Sequence, residues 1–327
     1  NESLFALSRF AEDAAKGPIG VDDRADMSAF FANLSAPLAT HRDIRFAKTI
    51  ILIGGEPEEE QTFTAKQIRK AVSNNAAKVI IVNDTPINLV RQSATQFIHI
   101  APNSYDAFVQ FVFGGLDENS AAAKLGIDAA ELGAFRNTVE ATDGDLVIMA
   151  ASHLSPAAQA VIAGAAGSLA SDTGRVLLHP LPLYNNSVGA IDILPNAGTA
   201  SDVAARSKAL LIAGSLQEPA LLANKDLVVV QELFETETTE FADVVLPAAS
   251  FAEVDGTYTN NAGNVQRVRL SIDPLHQSKP DWMITDLMAR AMGVDLGLEH
   301  SASGVFRKLA DAVAAYEGLR YPALKDE

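Results

Sequence analysis

The chain has 327 residues, 25 of them Lys or Arg and 41 Asp or Glu, which gives a formal net charge of −16 at pH 7; it has no cysteine, and 48% of its residues are hydrophobic. This length predicts about two domains with packed cores and excludes a globally disordered chain, and the acidic charge argues against nucleic acid as a partner. The absence of cysteine excludes disulfides, cysteine-ligated zinc, iron–sulfur clusters and a thiol nucleophile within these residues.

The amino-terminal segment and the hydropathy pattern bear on membranes and on completeness. No apolar run approaches the ~18 residues that a transmembrane helix needs, which predicts no direct membrane insertion. The amphipathic start at Asn1 carries acidic residues and has neither an initiator methionine nor the apolar region of a signal peptide. We therefore expect the chain to be a piece excised from a longer protein.

Short apolar runs rich in Ile and Val follow one another in the first third of the chain. They span Lys48–Gly55, Lys78–Asp84 and Phe97–Pro102. Runs that do not alternate with polar residues predict strands buried on both faces, as in parallel sheets covered by helices. A predicted helix at Gln61–Ser73 joins the first two runs, so β-α-β units are expected within residues 48–102.

A second series of apolar runs predicts further parallel strands. They are Asp145–Ala151, Arg175–His179, Lys208–Gly214, Asp226–Gln231 and Asp243–Pro247. Between the first two, Ser155–Ala166 is a predicted helix with Ser155 as its N-cap and Pro156 at its first position. Strands that alternate with helices over this length predict an α/β fold with doubly wound, mostly parallel sheets in two lobes.

The composition changes after Glu253. The segment 253–270 is rich in Gly and Asn, which is typical of turns and predicts neither helix nor strand. Helices are predicted again at Pro280–Met292, ended by Gly293, and at Ser303–Tyr316. The predicted domains are a first lobe at 1–140, a second lobe at 141–295 with an acidic segment at 232–266, and a C-terminal helix and tail at 296–327.

The carboxyl ends of parallel strands are the places where open α/β sheets bind ligands. Gly54 and Gly55 follow the first predicted strand and would suit a phosphate cradle, but residues 56–60 include four carboxylates that would repel a diphosphate. Neither GxGxxG nor GxxxxGK[ST] is present, which favours an acid-capped structural turn. Asp84 has two open interpretations: an acid that binds ribose hydroxyls, or part of an Asx turn that leads to Pro86.

The other polar residues give no catalytic or metal motif. The six histidines lack metal-ligand spacing, and His153 and His179 lie at or just after predicted strand ends. Ser152 and Ser155 are weak nucleophile candidates because the GxSxG elbow is missing, so ordinary hydrogen-bonded histidines are favoured. The eight acids of the segment Asp226–Gln266 lack the regular spacing of hard-cation loops, which favours a solvated or partner-facing acidic surface.

Three segments carry a resemblance to a known family. Residues 232–253 resemble the ET…ADVVLP…E signature of the molybdopterin oxidoreductase superfamily, and residues 256–266 resemble its G-T…N…E-G-R-x-Q segment. The segment 185–195 is similar to the version in the large iron–sulfur subunit of NADH:quinone oxidoreductase, which is respiratory complex I. The resemblance extends over nearly the whole chain, from Asn1 to Gly293.

This resemblance implies two Rossmann-like lobes of the kind found in domains 1 to 3 of formate dehydrogenase and DMSO reductase. It further implies that the chain is the C-terminal part of the large iron–sulfur subunit. That part would be a scaffold in NADH-to-quinone electron transfer and would not be catalytic on its own. No cofactor is then expected in this chain, with the iron–sulfur clusters in an N-terminal part outside it. The implied partners are other peripheral-arm subunits of complex I, at the cytoplasmic side of the bacterial inner membrane.

Departures from the family motifs favour a pocket that has lost its pterin. Glu56 stands where the G-x-N-P motif has Asn, and Ala262 and Asn264 replace the Glu and Arg of the E-G-R motif. The residues of such a vestigial pterin dinucleotide pocket would be Gly54, Gly55, Asp84, Thr257 and Gln266. The alternatives are an oxidoreductase that binds molybdopterin guanine dinucleotide at these residues, and an acidic adaptor without a redox role.

Overall fold

The computed structural model describes residues 1–21 and 27–324. It confirms the predicted α/β fold with mostly parallel sheets. The strands are β1 (Gly20–Val21), β2 (Thr49–Ile53), β3 (Lys78–Asn83), β4 (Gln96–His99), β5 (Leu146–Ala151), β6 (Val176–Leu181), β7 (Gly198–Thr199), β8 (Ala209–Ala213), β9 (Leu227–Glu232), β10 (Val244–Pro247), β11 (Gly256–Thr259) and β12 (Val265–Val268).

Helices separate most of these strands along the chain. The α-helices are α1 (Glu2–Arg9), α2 (Ser28–Phe31), α3 (His41–Phe46), α4 (Pro57–Glu60), α5 (Thr62–Asn75), α6 (Asn88–Ser93), α7 (Tyr105–Phe113), α8 (Glu118–Leu125), α9 (Ala129–Glu140), α10 (Pro156–Ala165), α11 (Ser187–Ile193), α12 (Ala200–Arg206), α13 (Asp281–Ala291) and α14 (Ala302–Ala312). A π-helical segment lies at Phe10–Ala15, and 3₁₀ segments lie at Ala166–Leu169, Pro219–Leu222, Thr239–Phe241, Ala314–Tyr316 and Tyr321–Ala323. Within the described ranges, every helix is too short or too polar to reach across a lipid bilayer.

The chain divides into two compact units. Unit 1 comprises Asn1–Asp23, Asn185–Asn260 and Asn264–Glu327, and unit 2 comprises Arg24–Tyr184 and Asn261–Gly263. The predicted lobe boundary after residue 140 falls inside unit 2, because strands from both sides of that position pair in one sheet. The contact-based units and the predicted domains therefore divide the chain differently.

Unit 2 is built on a five-stranded parallel sheet with the order β4-β3-β2-β5-β6. Every residue of β2, β5 and β6 is buried, as expected for strands covered on both faces. The fully buried Leu52 and Ile81 pack with Ile68 of α5, and each such side chain contributes about 1.5–3 kcal/mol by leaving water. The chain winds from β2 out to β4 and then places β5 beside β2, so the topological switch point lies between β2 and β5.

Local capping interactions set the starts of two helices in this unit. Ser155 accepts a hydrogen bond from the N–H of Ala158 at 3.1 Å, and Pro156 is the first residue of α10, which confirms the predicted N-cap. At the start of α3, Thr40 and Asp43 form a reciprocal capping box. These short-range bonds fix the helix starts independently of the sheet.

Unit 1 contains the three-stranded parallel sheet β10-β9-β8 and a core of packed helices. The core buries Phe5 of α1, Trp282 of α13 and Phe306 of α14. The strands β11 and β12 form an antiparallel hairpin, so the prediction that 253–270 lacks strands was wrong. The Gly and Asn residues that produced that prediction are concentrated between the two strands, and the flanking Thr, Tyr and Val residues have high strand propensity.

Candidate functional site

The carboxyl edge of the five-stranded sheet gathers residues that follow three of its strands. They are Gly54 and Gly55 after β2, Asp84 after β3, and His153 after β5. This edge includes the switch point between β2 and β5, where doubly wound sheets bind their ligands. Three of the five predicted pocket residues therefore lie along one edge of unit 2.

The turn after β2 depends on glycine. Gly54 and Gly55 have φ angles of +68° and +79°, a region that glycine adopts without the penalty paid by other residues. A β-carbon on Gly54 would lie 2.8 Å from Nε2 of His153, and one on Gly55 would lie 3.3 Å from the β-carbon of Ala151. The space beside Gly54 is therefore occupied by a side chain of the same unit.

The residues after Gly55 bring negative charge to the turn and use two of its N–H groups internally. Pro57, the first residue of α4, has no N–H, and Glu58–Glu60 add three carboxylates to this single helical turn. The N–H groups of Glu59 and Glu60 both donate to the carbonyl oxygen of Glu56 at 3.0 Å. A phosphate here would meet these negative charges, so the acidic turn disfavours the pyrophosphate of a pterin dinucleotide.

An ion pair holds the acidic turn against α5. Oε1 of Glu58 accepts a hydrogen bond from Nη1 of Arg69 at 2.6 Å. Oε2 of Glu58 is buried and has no hydrogen-bond partner among the described residues. The cation beside the turn is therefore engaged by one of its own acids, and the unpaired carboxylate oxygen would repel an anion.

Asp84 lies inside a turn that a tyrosine holds. The hydroxyl of Tyr105 lies 2.8 Å from Oδ1 of Asn83 and 3.1 Å from Oδ1 of Asp84, so these two acceptors share its proton. The N–H of Thr85 donates to Oδ1 of Asn83 at 3.4 Å, which is the Asx turn. Burial raises the pKa of Tyr105 to about 12, so the hydroxyl stays a donor at neutral pH. The ribose-binding role of Asp84 stays a prediction.

Replacing Tyr105 with Phe tests how firmly the hydroxyl holds this turn. The variant leaves the Asn83 and Asp84 oxygens without their shared donor, so we expect the free energy of unfolding to fall by about 1–2 kcal/mol. Urea denaturation followed by circular dichroism measures the change. An unchanged unfolding midpoint would show that solvent replaces the hydroxyl without loss.

His153 and the nearby serines are engaged in structural contacts. The imidazole of His153 meets the ring of Tyr105 edge to face, with centroids 5.3 Å apart. The hydroxyl of Ser155 donates to Oδ1 of Asp106 at 2.7 Å while it caps α10. In the part of unit 2 that the structure describes, no hydrogen bond joins Ser152 or Ser155 to His153. Ser155 therefore stabilises a helix start.

His179 lies inside a strand, which corrects its predicted position at a strand end. β6 continues through Pro180 to Leu181, and a proline is tolerated because β6 is the edge strand of its sheet. Nδ1 of His179 donates to the carbonyl oxygen of Ala39 at 3.0 Å, and Nε2 is buried without a partner among the described residues. Burial lowers the pKa of His179 to about 4, so the ring is neutral at pH 7.

Thr257 and Gln266, the other two predicted pocket residues, lie in unit 1. They belong to the paired strands β11 and β12, where Thr257 is opposite Arg267. The N–H and hydroxyl of Thr257 donate to the carboxylate of Glu2 at 2.9 and 3.1 Å. The polar groups of Thr257 are thus used within unit 1, and a role of these two residues in cofactor binding stays a prediction.

Residues 1–21 and 27–324 contain no group of three or more His, Asp or Glu side chains arranged to hold a metal ion. Several polar groups at the sheet edge hydrogen-bond to one another, to backbone groups or to Arg69. These contacts stabilise the turns after β2 and β3.

The fold, the sheet edge and the signature segments define the class of protein. The family description of the molybdopterin oxidoreductases matches residues 2–291, and the chain belongs to this family. The alpha subunit of an F420-dependent formate dehydrogenase from Methanocaldococcus jannaschii is 25% identical over 408 positions, covering 99% of this chain and 60% of that protein. F420-dependent formate dehydrogenase 2 subunit alpha from Methanococcus maripaludis is 43% identical over 104 residues, covering 32% of this chain and 15% of that protein.

The chain thus spans only part of the curated relatives it matches, 60% of one and 15% of the other. Two solved structures share its fold. Acetylene hydratase from Pelobacter acetylenicus has a TM-score of 0.70 at 14% identity, covering 97% of this chain and 57% of that one. The formyltransferase/hydrolase complex FhcABCD from Methylorubrum extorquens has a TM-score of 0.65 at 15% identity, covering 89% of this chain and 88% of the matched chain of that complex. At these identities the likeness is one of fold.

Proposed function

We propose that this chain is a pterin-free structural domain of the molybdopterin oxidoreductase family, within a larger electron-transfer protein of the type of the large iron–sulfur subunit of complex I. The observation that carries the proposal is the turn after β2, where Glu56–Glu60 bring four carboxylates to a helix start and His153 lies beside Gly54. Like charges repel each other at a protein surface, so four carboxylates, of which only Glu58 is paired with a cation among the described residues, disfavour a dinucleotide there.

The resemblance of one segment and the composition support the assignment to complex I. Residues 185–195 are similar to the version of the family found in the large iron–sulfur subunit, and the chain has no cysteine that would hold a cluster. In this proposal the electron-carrying iron–sulfur clusters lie in another part of the same protein. The domain acts as a scaffold that contacts other peripheral-arm subunits, at the cytoplasmic side of the bacterial inner membrane.

A second candidate function is an oxidoreductase domain that holds molybdopterin guanine dinucleotide. The relatives favour it, because the matching proteins from two methanogens are alpha subunits of formate dehydrogenases. The predicted contacts Gly54, Gly55, Asp84, Thr257 and Gln266 would then belong to the cofactor site. In that case the dinucleotide would have to bind beside the four carboxylates of residues 56–60.

Molybdenum, tungsten and pterin content of the full-length protein distinguishes these two functions. We expect less than about 0.1 mole of either metal per mole of protein, and no fluorescent pterin after oxidation, because the acidic turn disfavours the dinucleotide. Mass spectrometry of the metals and fluorescence of the oxidised extract measure both quantities. A sample spiked with molybdate and pterin controls the recovery.

The same preparation tests the assignment to complex I. Pterin-free protein with iron–sulfur signals in electron paramagnetic resonance, copurifying with NADH-oxidising subunits, supports the proposal. Stoichiometric metal with pterin would establish the second function. Protein that lacks pterin, clusters and redox partners would instead fit the acidic adaptor.

A further inference from the structure

The three-stranded sheet of unit 1 has strands whose sequences are typical of full burial, yet part of it is exposed. β9 and β10 contain continuous apolar runs, as parallel strands covered on both faces do. Val244 and Val245 of β10 are nevertheless 43% and 48% exposed. Since neighbouring residues in a strand point to opposite faces, both faces of the sheet are open at β10, its edge strand.

Large exposed apolar side chains are concentrated in the part of the chain that forms β9, β10 and the segments next to them. Of the sixteen that the described residues contain, ten lie between residues 227 and 275. They are Leu227, Leu233, Phe234, Phe241, Val244, Val245, Phe251, Leu270, Ile272 and Leu275, and we call this set the β10 surface. A concentration of this kind on a protein surface marks an interaction site, whereas scattered single residues do not.

Backbone hydrogen bonds bring parts of the β10 surface together. The N–H of Ala248, just after β10, donates to the carbonyl oxygen of Glu232, which precedes Leu233 and Phe234. The N–H of Ile272 donates to the carbonyl oxygen of Ala252, the neighbour of Phe251. Segments distant in sequence are thus held next to one another along the end of the sheet.

Acidic side chains accompany the β10 surface. Glu235, Glu237, Glu240 and Asp243 are all exposed, and the segment 226–266 contains no Lys or Arg. The longer range 226–279 adds Asp273 and three cations, which are Arg267, Arg269 and Lys279, so it contains nine acids and three cations. The surface therefore combines an apolar centre with a rim that is mainly negative.

We propose that the β10 surface docks a protein partner whose contact face has an apolar centre and a rim of Lys and Arg. Charge complementarity selects this partner, because opposite rim charges steer association and like charges oppose it. A second copy would bring identical acidic rims together on chains that each carry a net charge of −16. Phe234 and Phe251, 73% and 74% exposed, are the large aromatic side chains that anchor such interfaces. This inference holds whether or not the family pocket contains a pterin.

Zero-length cross-linking of the native assembly provides the first test. A carbodiimide joins a carboxylate directly to a lysine amine, and mass spectrometry then identifies the pair. We expect Glu235, Glu237 or Glu240 to be joined to lysines of a different polypeptide. Cross-links only to the same polypeptide, or only between two copies of it, would overturn the proposed partner.

Binding of a defined probe to the full-length protein provides the second test. The probe is a synthetic helical peptide with Leu and Phe on one face flanked by Lys, and its counterpart carries Glu in place of each Lys. Fluorescence anisotropy is expected to show at least tenfold weaker binding of the Glu peptide. Raising the salt concentration from 50 to 300 mM is expected to weaken the binding of the Lys peptide, because salt screens exposed charges.

Three variants identify where the Lys peptide binds. Glu235→Lys/Glu237→Lys/Glu240→Lys and Phe234→Ser/Phe251→Ser are each expected to weaken binding at least tenfold. The control Glu140→Lys/Asp172→Lys/Glu317→Lys makes the same change in net charge at exposed positions elsewhere and is expected to stay within twofold. Equal loss in the control, full binding by the Ser variant, or no binding of the Lys peptide would each overturn the inference.

Discussion

A Gly54→Ala variant is expected to lose about 3 kcal/mol of its free energy of unfolding. The left-handed conformation of Gly54, with φ of +68°, costs an alanine about 1–2 kcal/mol. The added methyl group would also lie 2.8 Å from Nε2 of His153, which must then move away from the ring of Tyr105. Strain and displacement therefore add at this one position.

Gly115→Ala is the matched control for this substitution. Gly115 has a φ of +76°, close to that of Gly54, and a β-carbon there would have nothing within 4 Å. Only the conformational cost applies, so we expect a loss of about 1 kcal/mol after the smaller entropy of the unfolded alanine variant is allowed for. Chemical denaturation of both variants measures the difference that the crowding by His153 makes.

The double variant Gly54→Ala/His153→Ala checks the cause. If the imidazole is the obstacle, its removal makes room for the methyl group, and the double variant should be more stable than the sum of the two single losses predicts. Additive losses would instead mean that backbone strain alone accounts for Gly54. The outcome also bears on the proposed function, because a close fit between Gly54 and His153 means that a ligand could not approach Gly54 from the side of the imidazole.

Patterns within short segments predicted much of unit 2. Continuous apolar runs identified β2, β3 and β5, and Ser155 followed by Pro156 identified the start of α10. The position of Gly54 and Asp84 at one sheet edge followed from the parallel order of the strands. These features depend on residues close together in the sequence or on a general rule of topology, so they can be predicted from one sequence.

Tertiary contacts determine what the sequence did not predict. His153 occupies the space beside Gly54 although ninety-nine positions separate them in the sequence, and no local sequence pattern predicts that contact. The predicted strand ended at His179, but the edge position of β6 allows the strand to continue through Pro180. The strand sequence of β10 predicted burial on both faces, which the described residues of unit 1 do not provide. In each case the outcome depends on which helix, strand or side chain packs next to the residue in the folded chain.

Acidification is expected to destabilise the protein through His179. Burial lowers its pKa from 6.5 to about 4, so the folded chain binds this proton more weakly than the unfolded chain. The contribution to stability is therefore fully present above pH 6.5 and is lost as the pH falls toward 4. One pKa unit corresponds to 1.36 kcal/mol, so the loss by pH 4 is about 3 kcal/mol. The unpaired Nε2 explains the direction, since a proton there finds no acceptor among the described residues.

Other groups also titrate in this range, so a comparison of variants is required. Burial raises the pKa of Asp281 to about 6, and a raised carboxyl pKa makes the folded state more stable as the pH falls. Burial also lowers the pKa of His41, which adds to the effect of His179. The pH dependence of the unmodified protein is therefore a sum with terms of both signs.

His179→Asn isolates the contribution of this one histidine. An asparagine amide can keep the hydrogen bond to the carbonyl oxygen of Ala39, while the group that titrates is gone. The smaller side chain lowers stability at every pH, so the informative quantity is the slope of the unfolding free energy between pH 7 and pH 4. We expect the loss over that interval to be about 3 kcal/mol smaller in His179→Asn than in the unmodified protein. In His300→Asn, which replaces an exposed histidine, the slope should not change, and equal slopes in all three proteins would show that His179 does not resist protonation in the folded state.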